Sequence, residues 1–290
     1  MADEVTTTTA DDLVLAAGLL EQNIIGALRP NNHGPAATKQ RNIASLPTKA
    51  LDFPKTPLIS AAGLTEGTDM ANTAFSTTKA TITVGETGVM ITLTDLLRMS
   101  DIVGDEYYAM ELAKACLAKL TVDICALSSG FTNSVGPASG SPLLETHWLD
   151  AIATLEAANV PNPYVAIIGT TQKKNTIADI GTTITPAAST GATARQELND
   201  LAAIRPDGVL GPLFDFPIYI TTAVPTANAG ADVVGMLVSR ERAIGLVRKW
   251  DVRVGLERDE SLRGLEVVVT MAYGVGEIDD TSGVGILSDA

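Results

Sequence analysis

The chain has 290 residues, enough for one large domain or two of ordinary size. Its 46% hydrophobic and 19% charged content supports a sizeable core and excludes wholesale disorder. Its 34 acids and 20 bases give a net charge of −14, which repels nucleic acid phosphates and anionic lipid unless the bases cluster, and its two cysteines and two histidines are too scattered for a disulfide scaffold or a four-ligand zinc site.

The first twelve residues, MADEVTTTTADD, are acidic and Thr-rich, unlike a signal peptide, and read as a disordered tail. Asp11 or Asp12 can cap a helix over Leu13–Leu28, which is too polar and too short for a membrane span. These features predict a soluble protein of a reducing cytoplasm. Residues 29–57 carry five prolines and the run Asn31-Asn32-His33-Gly34, and read as a long arm without regular structure. Two threonine-rich alternating runs follow, FSTTKATITV and GVMITLT, around Gly85-Glu86-Thr87-Gly88. They predict a β-hairpin within 58–94, one that would need support from another surface.

Asp95 or Asp101 can cap what comes next. From Asp105 to Leu127 there is no Gly or Pro, and Leu112, Cys116, Leu120 and Ile124 recur at fourfold spacing. This predicts the longest helix of the chain, about 34 Å, ended by Gly130. TNSVGPASGSP (132–142) reads as a linker and candidate domain boundary. An α/β pattern then runs to about residue 247. It comprises a helix over WLDAIATLEAAN capped by Thr146, a buried strand YVAIIG and a short helix TQKKNTIADI. A polar loop (181–193), a helix ARQELNDLAAI, strands FPIYITTAV and DVVGMLVS, and a short helical RERAIGLV complete it. Two long strands close the chain, WDVRVGLE and LEVVVTMAYGVGEI, joined by a charged turn at Arg258–Arg263.

Sites of chemistry are sparse. GVGEID (274–279) lacks the third glycine and the following helix of a dinucleotide-binding turn, so it reads as a strand end. GPASG (136–140) lies in the linker and is not a nucleophile elbow. His33 and His147 have no nucleophile motif nearby. Cys116 and Cys125 read as small core hydrophobes. Glu277, Asp279 and Asp280 lack calcium-loop spacing and read as a solvated tail. No catalytic, cofactor or metal set emerges. Seven bases lie between Arg240 and Arg263, interleaved with acids. They read either as ordinary surface pairs or as a band that meets complementary charges on neighbouring subunits.

The order of these parts resembles the major capsid proteins of tailed bacteriophages, the Hong Kong 97-like fold shared with encapsulins. PLISAAGLTEGTDMANTAFSTTKATITVGETGVMITLTDLL resembles an arm-to-extended-loop passage. EYYAMELAKACLAKLTVDICALSSGF resembles the spine helix, with Asp123 and Phe131 at typical positions. WLDAIATLEAANVPNPYVAIIGTTQ resembles the start of the axial domain, and GMLVSRERAIGLV with GLEVVVTMAYGVGEID resembles the closing segments. The resemblance implies an α+β fold with an N-terminal arm (1–57), an extended β-hairpin loop (58–94) and a peripheral domain with the spine helix (95–141). An axial domain (142–247), a peripheral β-ribbon (248–276) and a C-terminal return and tail (277–290) would follow.

The same resemblance implies a non-enzymatic shell subunit of the virion, assembled in the host cytoplasm into hexamers and pentamers around double-stranded DNA that it encloses without specific binding. Its partners would be copies of itself, with a portal and a decoration protein as further candidates, and a separate scaffolding protein or none, since the core begins near residue 56 and leaves no room for a fused scaffold. No membrane is involved. Lys79, Glu86, Arg253, Arg258 and Arg263 are the candidate assembly contacts. Lysine–asparagine crosslinking is not carried over, because residues 240–290 contain no Asn. An encapsulin-type compartment holding enzyme cargo is the alternative, and an α/β enzyme with a pocket near 163–222 a third reading.

Overall fold

The computed structural model describes residues 32–100 except 57, 58, 62, 68, 71 and 73, and residues 105–183, 209–213 and 216–290. The expected helices over 13–28 and ARQELNDLAAI and the loop 181–193 lie largely or wholly outside these residues.

Thirteen strands and four helices follow in order among the described residues. They are β1 (Lys39–Asn42), β2 (Ala50–Lys55), β3 (Thr78–Thr83), β4 (Gly85–Thr94), α1 (Asp95–Ser100), α2 (Asp105–Ala126), β5 (Ser134–Val135), α3 (Glu145–Ala157), β6 (Tyr164–Ile168) and α4 (Thr170–Thr183). After them come β7 (Val209–Leu213), β8 (Phe216–Ile220), β9 (Thr226–Ala227), β10 (Asp232–Ser239), β11 (Ile244–Asp259), β12 (Gly264–Glu277) and β13 (Gly283–Asp289). A four-stranded sheet has the order β1-β11-β12-β4, and a larger sheet the order β5-β13-β10-β6-β8-β7 with β9 beside β10; β2 and β3 form a ribbon of their own.

The long helix lies where its spacing predicts, and its apolar stripe explains its place. Leu112, Cys116, Leu120 and Ile124 are buried against Leu246, Val267, Val269 and Met271 of the four-stranded sheet and Val165, Ile167, Met236 and Val238 of the larger one. The alternate residues of those strands, Ala166, Ile168 and Leu237, face the opposite way into a second core with Trp148, Ala151 and Leu155 of α3. Period-two alternation thus puts one sheet between two cores. A 3-10 turn, Leu127–Ser129, and Gly130 end the long helix.

From residue 32 on, the arm is more ordered than its prolines suggest. Asn32 accepts a hydrogen bond from Thr121 Oγ1 (2.8 Å). Gly34 lies so close to α2 that an added Cβ would be 3.2 Å from the Thr121 Cα. The His33 ring stacks on Tyr219 with centroids 5.1 Å apart. β1 then pairs in parallel with β11 at Gly245–Arg248. The arm's backbone groups find partners on other elements, so it needs no repeat of its own.

Four further expectations are corrected. The two alternating runs do not form a hairpin with each other: β3 pairs with β2, and β4 pairs with β12. Only Val84 separates them, too short for a hairpin turn, and the chain there steps from one sheet to the next. RERAIGLV is not helical. Arg242 and Ala243 close one turn onto the Ser239 carbonyl, and β11 starts at Ile244. Thr146 does not cap α3. The N-cap is Leu144, whose N–H is accepted by the His147 imidazole at 3.1 Å, while Asp179 accepts the Glu145 N–H at 2.6 Å. The closing segment is not a solvated tail. β13 lies between β5 and β10 with Val284 and Ile286 fully buried, and Asp280 accepts the Thr132 N–H at 2.9 Å.

Candidate assembly surfaces

Among the described residues no group of three or more His, Cys, Asp or Glu side chains could hold a metal ion, and no helix is long and apolar enough to cross a membrane. Cys116 and Cys125 lie in the core, where burial raises both thiols, Cys125 to about 12. Neither is a nucleophile at neutral pH. What the molecule offers instead is surface that its own core does not cover.

The first such surface is the β2–β3 ribbon. Its base is anchored by Phe53 and Ile82, which are buried with Ile43, Val247 and Ile278. Ile82 and Thr83 approach the backbone of β11 and β12 at three glycines. A Cβ on Gly245 would lie 2.5 Å from the Ile82 Cδ1, one on Gly274 2.3 Å from the Thr83 carbonyl oxygen, and one on Gly276 3.2 Å from the Ile82 Cγ1. Gly245 and Gly276 are direct partners in the β11–β12 register, so the ribbon crosses a bare strip of backbone. The sequence carried this signal in the alternating glycines of YGVGE, which mark close approach within a strand.

Beyond the base the ribbon and its connection expose Ile59, Leu64, Met70 and Phe75, with Leu64 68% and Met70 73% accessible. A two-stranded ribbon is marginal by itself, and burying a large apolar side chain contributes about 1.5–3 kcal/mol. These four side chains keep half or more of their surface uncovered by their own subunit. Lys79 donates to Asp52 Oδ2 at 2.6 Å and Thr81 to Asp52 Oδ1 at 2.6 Å. These bonds, that of Lys79 first, hold the Asp52 carboxyl below its ordinary value.

The second surface is the corner where α1 meets the β11–β12 turn. Leu96 and Met99 on α1 are 81% and 88% accessible, and Val254 and Leu256 are exposed on β11, away from the stretch that β1 covers. The corner is braced by Arg258, which donates to Asp95 at 3.0 and 2.9 Å and to Glu260 at 2.8 Å. The pairing lowers the Asp95 carboxyl and raises the guanidinium. Arg263, at φ +49°, turns the chain into β12 and accepts the Asp95 N–H on its carbonyl at 2.8 Å.

The five residues singled out from the sequence do not form one site. Lys79 and Arg258 are held by acids of their own chain. Arg253 lies over its own Trp250 ring, 5.1 Å from the centroid. Arg263 acts through its backbone, and Glu86 is exposed on β4 opposite Ala272. The basic band is thus largely paired within the subunit: Arg248 also meets Asp251 at 3.2 Å, and Lys249 donates to the Leu46 and Thr48 carbonyls. The apolar ribbon tip and corner were missed in the sequence, because their residues look no different from core positions.

No family model and no curated protein matches the sequence. Solved structures do match. The chain superposes on the capsid structure of the cyanophage P-SCSP1u with a TM-score of 0.70 and 15% identity, over 96% of this chain and 94% of that one. The head structure of Helicobacter pylori bacteriophage KHP40 gives 0.72 at 13% identity, covering 97% and 96%. A structure of Mycobacterium phage Che8 gives 0.70 at 15% identity, covering 92% and 95%. Over nearly the whole chain the α+β fold is therefore that of these phage capsid and head structures, the Hong Kong 97-like fold.

Proposed function

We propose that this chain is a structural major capsid protein, not an enzyme, which assembles through hexamers and pentamers into an icosahedral shell enclosing double-stranded DNA. The observation that carries the reading is the whole-chain correspondence with capsid and head structures, at 92–97% coverage of both partners. A core that leaves a projecting ribbon and an apolar corner uncovered supports it, since such surfaces need neighbours. In this reading the β2–β3 ribbon with its connection is the extended loop and α2 the spine. The four-stranded sheet is peripheral, and the larger sheet, β13 included, is axial. Interwoven contacts of this kind bury more than a standard interface. Glu86, Arg253 and Arg263 are surface contacts to neighbours, whereas Arg258 and Lys79 brace their own subunit. The net charge of −14 fits a container that holds DNA without gripping it. A portal, a scaffolding protein and a decoration protein are the partners this role calls for, and assembly takes place in the host cytoplasm.

Negative-stain electron microscopy with light scattering on the purified protein tests the reading. Closed shells tens of nanometres wide are expected. A small uniform oligomer that no co-expressed scaffolding protein converts to shells would overturn it, and shells carrying a bound enzyme in place of DNA would assign the chain to a cargo compartment.

A further inference from the structure

A cleft of about 380 Å³ lies between β1 and β2, where the ribbon meets the four-stranded sheet. That volume is in the range of small-molecule sites. The β1 wall has a definite direction. Lys39, Arg41 and Ile43 follow at every second position, and the register puts Lys39 beside Gly245 and Arg41 beside Val247. Residues paired in register share a face of the sheet. Gly245 and Val247 are on the ribbon side: a Cβ on Gly245 would lie 2.5 Å from the Ile82 Cδ1, and Val247 is buried with Ile43 and Phe53. The two bases therefore stand on the face that meets the ribbon, about 7 Å apart along the strand.

The floor between them and β2 is apolar. Ile43, Phe53 and Ile278 are buried there, with Leu51 packed beside them. The charge of the lining is positive, in a chain whose net charge is −14. Asp52 is the one acid among the lining residues, and its two carboxylate oxygens accept from Lys79 Nζ and Thr81 Oγ1, each at 2.6 Å.

Both walls are fixed by the chain itself. The Ile43 N–H donates to the Arg248 carbonyl at 2.8 Å, and the Val84 N–H to the Lys49 carbonyl at 2.7 Å. Lys249 holds the Leu46 and Thr48 carbonyls at 3.3 and 2.7 Å, and Lys55 at the end of β2 pairs with Asp279 at 3.0 Å. A site built in advance saves a ligand the cost of ordering it.

Two bases beside an apolar floor recognise an anionic head on an apolar stem. A guanidinium takes a carboxylate through two parallel bonds, and an ammonium adds a third. We propose that this cleft binds a small amphiphilic carboxylate, its head on Lys39 and Arg41 and its stem against Ile43, Phe53 and Ile278. A ligand seated there touches both β1 and β2 and ties the ribbon to the body of the subunit. The site does not depend on the shell role.

Isothermal titration of the purified full chain with octanoate tests it. Acetate, which lacks the stem, and octan-1-ol, which lacks the charge, are the controls. Octanoate should bind with a dissociation constant of about 1 mM or lower, and each control about tenfold or more weakly than that. Lys39→Ala with Arg41→Ala removes the charged donors and should weaken octanoate about tenfold, with an unchanged circular dichroism spectrum. In the parent protein, which needs no variant to fold, octanoate should slow hydrogen exchange at 50–55 and leave 164–168 as they were. Equal binding of octanoate and octan-1-ol, equal binding of octanoate by parent and double variant, or unchanged exchange at 50–55 overturns the proposal.

Discussion

Replacing Gly274 by Ala tests how the ribbon is seated. The new methyl would lie 2.3 Å from the Thr83 carbonyl oxygen and 2.9 Å from its carbon, both backbone atoms that no rotamer change can move away. Ordinary contact needs about 1 Å more. β12 cannot supply it, because β11 and β4 hold it on both sides, whereas among the described residues β3 pairs with β2 alone and rests on the small cluster around Ile82. The strain therefore falls on the ribbon root and should cost about 1–3 kcal/mol, toward the upper end for a backbone clash. Gly255→Ala is the matched control, in the neighbouring strand. Its Cβ meets nothing closer than the Val268 oxygen at 3.9 Å, and replacing a strand glycine there should be neutral or stabilise by about 0.5–1 kcal/mol. Denaturant unfolding should show a loss of stability in Gly274→Ala and none in Gly255→Ala. Hydrogen exchange should quicken at 78–84 in Gly274→Ala while 236–238 keep their protection. Equal stability and equal exchange in both variants would refute the seating of the ribbon on bare backbone.

Deleting 60–74 and closing the gap with Asn-Gly should leave the unfolding midpoint nearly unchanged and abolish shells in electron micrographs, whereas deleting Gly85–Gly88 should destabilise the subunit, because those residues pair with Thr270–Tyr273. Leu120→Ala, at a fully buried position on α2, should cost about 2–5 kcal/mol in denaturant unfolding, and Leu117→Ala, at a half-buried one, clearly less. Glu277 has a carboxyl raised by burial and by Asp280. An acid with a raised folded value binds its proton more tightly when folded, so its contribution falls as pH rises from the ordinary value of 4.5 through the folded one. Glu277→Gln should therefore be more stable than the parent at pH 7 and lose that advantage toward pH 4.5, as read by unfolding at both pH values.

The elements that could be read from the sequence are those whose signal is local. α2 has 22 residues without Gly or Pro and an apolar stripe at fourfold spacing, and β6 is an unbroken apolar run. Both are decided by their own residues. What could not be read is pairing between distant segments. Gly85-Glu86-Thr87-Gly88 has turn composition, yet Gly88 is there because a Cβ would lie 2.9 Å from the Val269 carbonyl oxygen across the sheet. β13 was hidden by its glycines. Gly283 leaves room for the Phe131 ring and Gly285 for the Ser128 carbonyl, contacts made by residues far away in the chain. The candidate contacts were chosen by charge, and the structure shows that two of them, Lys79 and Arg258, meet Asp52 and Asp95 of their own chain, while much of the uncovered surface is apolar.

That difference bears on how such a subunit divides its labour. The first core joins both sheets through α2: Ile167 and Met236 on one sheet and Val267 and Met271 on the other share it without a break. A body built this way has one continuous close-packed interior, which resists internal deformation. Shape adjustment must then lie in parts with little core of their own. The ribbon is such a part, anchored by Phe53 and Ile82 and exposing Leu64, Met70 and Phe75. The ion pairs sit at its root and at the α1 corner, where Lys55–Asp279 and Arg258–Asp95 fix the angle at which each apolar surface is presented. Exposed pairs add little stability, but they are directional. Charge here orients surfaces within the subunit, and the surface those pairs orient is apolar.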